Sequence, residues 1–572
     1  LDKDPTRGLS QILFGYLPSQ TVDLSNRIWR VRRWVLPRHL DVDRETVRRE
    51  LLRAIRPWTD SGRDGHLAED LHRGVTLHVL EVNEHRGVEV ERFPRVFRCT
   101  TCSRLERDDA RRCRCGSRTW IQWHFVSYHE CGSIGAPRFL RCQEHDQVKV
   151  ILPGTASARD LRFECPVCSR LLHKGFFAGA RCDDCTYDSP LRHDVHRAAS
   201  VYSAKTLTVV NPPDAVTAQA LRNPTAGAQK LRWVLDGLPE TDESSGPTID
   251  TVIAGLIAAG MSADHARDQA ERMASSGALG DASGLDDLPL SAEARLDAQD
   301  AALRLWLAQS GGRITFDQLD EHGSLPDGYR GALSAAGLQA VDLLDDFPIL
   351  TCRFGYTRTS GQPGVATLRR FQGRDGGIAV HGQLARTEGL LVRLDPVLVA
   401  QWLAARGHLE APSEAGEARA VILRHATVPD AFADRTADAG SDVLTLVHTM
   451  SHRLVRRLAS LAGIERDAIA EYLVPEHLSF VLYAATRGDF VLGGLQAVFE
   501  HDLDIALRDL VDGDMRCPLD PGCRRHGSAC VACLHLGEPS CRHYNRFLDR
   551  SVLGPGERGY FNLARRAAAS IE

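Results

Sequence analysis

The clearest pattern of apolar positions lies in SDVLTLVHTMSHRLVRRLASLAGI. Val443, Val447, Met450, Leu454, Leu458 and Leu461 recur at intervals of three or four and predict one apolar stripe on an amphipathic helix. Gly463 predicts its stop. Elsewhere the period is two. VTLHVLEV, from Val75, alternates like a strand, and ILTCRFGYTR, IAVHGQ and LLVRLD read as short strands. LSFVLYAATRGDFVLGGLQAVFE predicts a hairpin, a turn at Gly493 and Gly494, and a helix. SAKTLTVVNPP predicts a strand that ends at a proline break. Helical spacing returns in TIDTVIAGLIAAGMSADHARDQAERMASS. It is interrupted by PETDESSGPT and SSGALGDASGLDD, which read as flexible loops. No repeat of fixed period is found.

These elements predict a multidomain α/β (α+β) chain. A mixed α/β segment spans 1–90, and a cysteine-rich zinc-ribbon module spans 91–205. A helical insertion or docking domain follows over 206–345, and an α/β domain closed by a four-cysteine zinc site spans 346–572. A length of 572 residues agrees with several domains. The 43% hydrophobic and 25% charged fractions are those of an ordinary globular protein. No apolar run reaches the roughly 18 residues of a membrane span. LDKDPTRGLSQILFGYLP lacks the layout of a secretion signal, and a first residue of leucine implies a native start upstream.

Cysteine changes the picture most. Sixteen cysteines without a secretion signal point to metal ligation in a reducing compartment, and so to a cytoplasmic protein. Cys99-x2-Cys102 precedes Cys113-x-Cys115, and Cys165-x2-Cys168 precedes Cys182-x2-Cys185, so each set of four reads as one zinc ribbon. Between them His129, Cys131, Cys142 and His145 form a weaker candidate set without a C-x2-C knuckle. Near the end Cys517, Cys523, Cys530, Cys533 and Cys541 supply ligands for a further closed site. The expected content is three Zn2+ ions, or four if the His/Cys set also binds. Cys352 reads as an inert, half-buried thiol.

Net charge is −5, yet arginine is clustered. RIWRVRRWVLPRHLDVDRETVRRELLRAIR holds Arg30, Arg32 and Arg33. The first ribbon holds Arg112 and Arg114, and the last cysteine segment holds Arg524, Arg525 and Arg550. The guanidinium fork suits phosphate, so these clusters are candidate nucleic-acid contacts. Trp29, Trp34 and Trp58 lie among the arginines and read as core residues of a helical stretch or as stacking surfaces. The RETVRRE segment equally suits a solvated helix face with internal ion pairs.

Motifs for enzymatic chemistry are missing. There is no G-x4-G-K-[ST] phosphate loop, no G-x-S-x-G elbow and no Gly-rich dinucleotide turn, and the glycines at Gly373, Gly376 and Gly377 read as a loop between strands. His448 and His452 share one side of the long helix, with Glu471 nineteen residues on. Thr449 stands where a zinc hydrolase of this pattern would carry its general base. Two buried, hydrogen-bonded histidines are therefore the expectation, and a metal-dependent hydrolase or nuclease built on His448, His452 and Glu471 is the alternative.

The C-terminal region resembles a known family. The order is His448 to Leu454, Ala462-Gly463, Glu471-Tyr472, Gly493 to Leu495, C-P-x-D-P-x-C from Cys517 to Cys523, Cys530 to Leu534, Cys541 to Asn545, and Leu548 to Leu553. It is similar to the zinc-binding, helicase-associated domain that closes MrfA-type DNA repair helicases and the DrmB subunits of DISARM anti-phage systems. The similarity covers roughly residues 346–560. SQILFGY and the two upstream ribbons are similar to DrmB in general plan. The resemblance implies four zinc cysteines in the last segment, carried over as Cys523, Cys530, Cys533 and Cys541, with Cys517 surplus or exchanged for Cys523. With no motor motif in this chain, it implies a non-catalytic subunit that engages single-stranded or junction DNA beside a DrmA-like superfamily 2 helicase. A zinc-stabilised protein–protein adaptor is the remaining alternative.

Overall fold

The computed structural model describes residues 7–569 apart from 109–111, 155–156, 177–179, 217, 219–248, 259, 276–304, 306–312, 316–317, 320–327, 486–492, 514, 538–539, 555 and 557. The fold is α+β, and no sheet among the described residues closes into a barrel. The chain divides into two compact units, each discontinuous in sequence. One comprises Leu1–Pro212 with Leu350–Leu384, the other Pro213–Ile349 with Ala385–Glu572. The four consecutive segments expected from sequence do not include this interleaving. It arises because two long strands, Leu338–Thr357 and Ile378–Leu394, each have residues in both units.

In the first unit, Arg27–Trp34 is a strand, not the helical stretch expected around its tryptophans. It pairs antiparallel with Thr21–Leu24 and Val88–Arg92. Ser25 and Asn26 both take positive φ at the tight turn before it, the conformation that matches strand twist in a two-residue hairpin. Ile28, Val31 and Trp34 face inward. The helix is the next element, Arg44–Asp60, capped by Asp43, whose carboxylate accepts the Thr46 amide at 2.7 Å. Val47, Leu51, Ile55 and Trp58 bury one face of it against Leu77, Val79, Leu207, Phe354 and Val380. Leu77–Glu81, the strand expected at VTLHVLEV, runs parallel to the start of Ile378–Leu394.

Among the described residues, the cysteine-rich module forms three small antiparallel sheets. They are Leu105–Arg107, Val96–Cys99 and Trp120–Gln122; Ile134–Gly135, Phe125–Tyr128 and Arg192–Val195; and Lys149–Ile151, Arg162–Glu164 and Leu171–Lys174. The first and third share a small apolar core that includes Trp123, Val148, Val150 and Phe163, while Val126 and Tyr128 of the second pack with Val201. So small a core leaves room for metal to contribute stability.

The second unit has the larger core. Its sheet pairs Gly389–Arg393 with Ser479–Ala484 and the latter with Ile469–Val474. Ala439–Leu461, the helix expected from the apolar stripe, packs on both of these last strands. Val443, Val447, Met450, Leu454 and Leu458 are buried as expected, whereas Leu461 is 37% exposed. The polar side is enclosed too, since every residue from Ala439 to Val455 is buried. Each polar group there needs a partner. Thr445 donates to the Ser441 carbonyl at 2.7 Å, and Arg453 donates to the carbonyls of Leu510 and Gly513. Of the helical middle segment, Ile249–Ala258 and Ala263–Ser275 are helices, and most of the remainder lies outside the described residues. The second strand of the hairpin expected after Ser479 also falls on 486–492, outside them. Gly493 and Gly494 open a helix. Among the described residues no helix is long and apolar enough to cross a membrane.

Candidate metal centres

The described residues bring together five groups of potential metal ligands, with the donor atoms of each group within 4.8 Å of one another. The first is the predicted ribbon of Cys99, Cys102, Cys113 and Cys115. Its two halves are built by different backbone turns. The Cys99 amide donates to the Arg104 carbonyl, and Ser103, at positive φ, donates its amide back to the Cys99 carbonyl. This tight knuckle aims both sulfurs of C-x2-C to one side. In the other half the Cys113 amide donates to Ser117 and the Gly116 amide to Cys113, with Gly116 at φ 94°. The Cys99–Cys115 and Cys102–Cys113 sulfurs are 3.6 and 3.5 Å apart.

These two turns recur, and they re-sort the ligands of the next two sites. Cys142 and Cys165 build the first turn again, with Asp146 and Ser169 at positive φ. His145 thus stands where the second cysteine of a knuckle would be, and C-x2-H meets C-x2-C in the group Cys142, His145, Cys165 and Cys168. His145 Nδ1 lies 3.4 Å from Cys142 Sγ and 3.6 Å from Cys165 Sγ. His129 and Cys131 build the second turn, with Gly132 at φ 91°. They meet Cys182 and Cys185. Cys131 and Cys182 sulfurs are 3.7 Å apart, and Cys185 Sγ is 3.4 Å from His129 Nδ1. The expected ribbon of Cys165, Cys168, Cys182 and Cys185 is therefore not formed, nor is a separate quartet of His129, Cys131, Cys142 and His145. Each pair crosses to the other set. The signal was present in sequence: Cys113-x-Cys115-Gly116-Ser117 and His129-x-Cys131-Gly132-Ser133 are the same turn with one ligand changed.

His129 shows how such a ligand is oriented. Its Nε2 lies 2.9 Å from the Ser189 carbonyl, which can only accept, so Nε2 carries the proton. The bare Nδ1 then faces the sulfurs, as a metal-ligating histidine requires.

In the C-terminal segment Cys517 joins Cys523, Cys530 and Cys533. Cys517 and Cys530 are 3.5 Å apart, and Cys523 and Cys533 are 3.7 Å apart. The expected set with Cys541 is not formed, and the cysteine held surplus is the one inside. Buried Arg550 donates to Cys523 Sγ at 3.0 Å and pairs with Asp520. Arg550 is thus not a surface arginine, and its guanidinium stands where it would offset part of the charge of the four thiolates that a bound Zn2+ requires. Burial pushes Cys530 up, but the Ala532 amide and neighbouring thiols outweigh it and bring it to about 7. Cys523 is held up at about 12, chiefly by burial.

Cys541 lies instead with His448, His452 and Glu471, and all four are buried. Glu471 Oε1 is 3.1 Å from His448 Nε2 and 3.2 Å from His452 Nε2, and His448 Nε2 is 3.4 Å from Cys541 Sγ. Burial holds the His448 imidazole below its ordinary value, against the charge of Glu471. Cys352 joins no ligand group among the described residues and is fully buried, and burial pushes its thiol up.

In the first four groups the spacings suit Zn2+. Zn–S near 2.3 Å and Zn–N near 2.0–2.1 Å put tetrahedral neighbours roughly 3.3–3.8 Å apart.

Comparison with known proteins gives two similarities, each covering part of the chain. Residues 8–213 match a family described as a domain of unknown function (DUF8724). The chain is also 28% identical over 189 residues to the DISARM protein DrmB of Bacillus paralicheniformis, a stretch covering 31% of this chain and 32% of that protein. The chain thus spans about a third of the length of the curated relative it matches. The family match includes the first three ligand groups, and residues 346–560 lie outside it.

The arginine candidates divide. Arg30 pairs with Glu91, and Arg32 and Arg33 pair with Glu89 across the strands. Trp34 and Trp58 are buried, and the Trp29 indole donates to the Leu24 carbonyl, so these rings serve the core more than a stacking surface. Arg112, Arg114, Arg524 and Arg525 are exposed beside their metal groups.

Proposed function

We propose that this chain is a DrmB-like subunit of a DISARM-type anti-phage complex in the cytoplasm, held together by zinc. The similarity to DISARM protein DrmB carries this reading. The ligand groups in its cysteine-rich module and C-terminal segment supply the zinc sites, with Zn2+ fixing the turns that small sheets cannot hold alone. In this reading the chain does no chemistry of its own. It belongs beside a DrmA-like superfamily 2 helicase and guides single-stranded or junction DNA towards that motor. The exposed Arg112, Arg114, Arg524 and Arg525 offer phosphate contacts on a chain whose net charge is −5. The C-terminal unit takes the role of the helicase-associated domain.

The test is co-expression with a DrmA-like helicase. A stable complex is expected, with tighter binding of labelled single-stranded DNA than the helicase alone shows. Affinity should fall steeply between two salt concentrations, since each phosphate contact releases condensed counterion. A helicase whose DNA affinity and ATPase are the same with and without this chain would favour the adaptor reading.

A further inference from the structure

The group around Glu471 differs from the other four in donor set and in setting. Its ligands are two imidazoles, a carboxylate and one sulfur, and His448, His452 and Glu471 have no exposed surface. Three separate pieces of the second unit supply them: the long helix, the strand Ile469–Val474, and the segment that begins at Cys541.

The hydrogen-bond directions expose a mismatch. His452 Nδ1 lies 2.9 Å from the Leu534 carbonyl, so Nδ1 carries the proton of a neutral ring. Its Nε2 then presents a lone pair to Glu471 Oε1 at 3.2 Å. The same Oε1 faces His448 Nε2 at 3.1 Å, and that nitrogen also faces Cys541 Sγ at 3.4 Å. Two acceptors aimed at one point, His452 Nε2 and Glu471 Oε1, need a cation between them, either a proton or a metal ion. The outer contacts are those of ligands held in place. Glu471 Oε2 accepts from the Ser451 hydroxyl, the Glu471 amide donates to the Ser540 carbonyl, and the Cys541 sulfur accepts the Asn545 amide at 3.3 Å.

We propose that His448, His452, Glu471 and Cys541 hold one divalent metal ion, Zn2+, in a closed structural site inside the second unit. The donor distances of 3.1–3.4 Å approach the edge of a Zn2+ tetrahedron with mixed N, O and S ligands, roughly 3.3–3.8 Å. One carboxylate and one thiolate cancel the ion's charge, which removes the cost of a lone buried anion. The ligands fill four positions and none is exposed, so there is no place for a reacting water. Glu471 is a ligand in this arrangement, not a general base, and the site staples the long helix to the strand and to the last cysteine segment. It stands whether or not the chain has a helicase partner.

Crystals of the full chain measured at the zinc absorption edge provide the test. The expected result is an anomalous peak bonded to His448 Nε2, His452 Nε2, Glu471 and Cys541, in addition to peaks at the four cysteine-rich groups. Peaks at those four groups with none here would overturn the proposal and leave a proton-bridged quartet. In solution, Cys541→Ser should lower the metal content by one ion per chain. In the cobalt-loaded protein it should spare the thiolate charge-transfer absorption of the Cys517, Cys523, Cys530 and Cys533 group. Unchanged metal content in a folded Cys541→Ser protein that also lacks the anomalous peak would count against the site as well.

Discussion

At the scale of single residues, histidine and cysteine exchange places in one turn. His145 completes a knuckle that Cys102 and Cys168 complete elsewhere. His145→Cys should therefore keep the metal, whereas His145→Ala should lose one ion per chain and destabilise the module. Structural zinc contributes on the order of 10 kcal/mol in small peptides. Metal content and thermal unfolding of the two variants check this, and equal zinc in both would refute the assignment. Arg550 is the second test. It donates to Cys523 and Cys533 and pairs with Asp520. Arg550→Ala leaves the sulfurs of Cys523 and Cys533 without their neighbouring cation and should weaken the site's hold on metal. Faster zinc release to a chromogenic chelator is the expected signature.

At the scale of elements, the long helix shows propensity yielding to packing. Gly440 lies in its first turn, where alanine normally gains about 1 kcal/mol. A Cβ at Gly440 would stand 1.8 Å from the Thr427 carbonyl oxygen. The backbone must move, so Gly440→Ala should destabilise by about 1–3 kcal/mol, read as a shifted denaturant midpoint. The same helix start carries a pH dependence. Burial raises the Asp438 carboxyl, but the Ser441 amide and the Thr436 and Ser441 hydroxyls outweigh it, so its value is lowered. A carboxyl lowered in the folded state stabilises above its unfolded value, about 3.9, and loses that contribution as pH falls below it. Asp438→Asn should flatten the acid limb of the stability curve while leaving neutral-pH stability nearly intact, because asparagine also caps well.

At the scale of the whole molecule, metal content separates the readings most simply. Four zinc ions per chain are expected from the cysteine-rich groups, and a fifth from the Glu471 group. Freshly purified protein with only one or none would remove the basis of the fold's stability as argued. The chain alone should neither hydrolyse ATP nor cut DNA. Nuclease activity abolished by His452→Ala in a folded protein would restore the hydrolase alternative.

Periodicity by itself determined the long helix, with its apolar stripe as far as Leu458, and the strand at Val75, because such spacings are local consequences of backbone geometry, whereas packing decided that the polar side of the helix is buried too. The C-x2-C pairs were equally legible, since a knuckle is built within six residues. Which pairs share a metal was not. Cys165 and Cys168 meet Cys142 and His145, and Cys182 and Cys185 meet His129 and Cys131, because small sheets bring together turns that are distant in sequence. Arg27–Trp34 departs from the helical reading of its tryptophans: a bulge in the strand turns Ile28, Val31 and Trp34 inward at intervals of three, a spacing that a helix also gives. Cys541 went to the wrong set for a related reason. Its neighbours in sequence are cysteines, but its neighbours in space are two histidines on a helix and a glutamate on a strand, and only the packing of that helix against that strand decides the site.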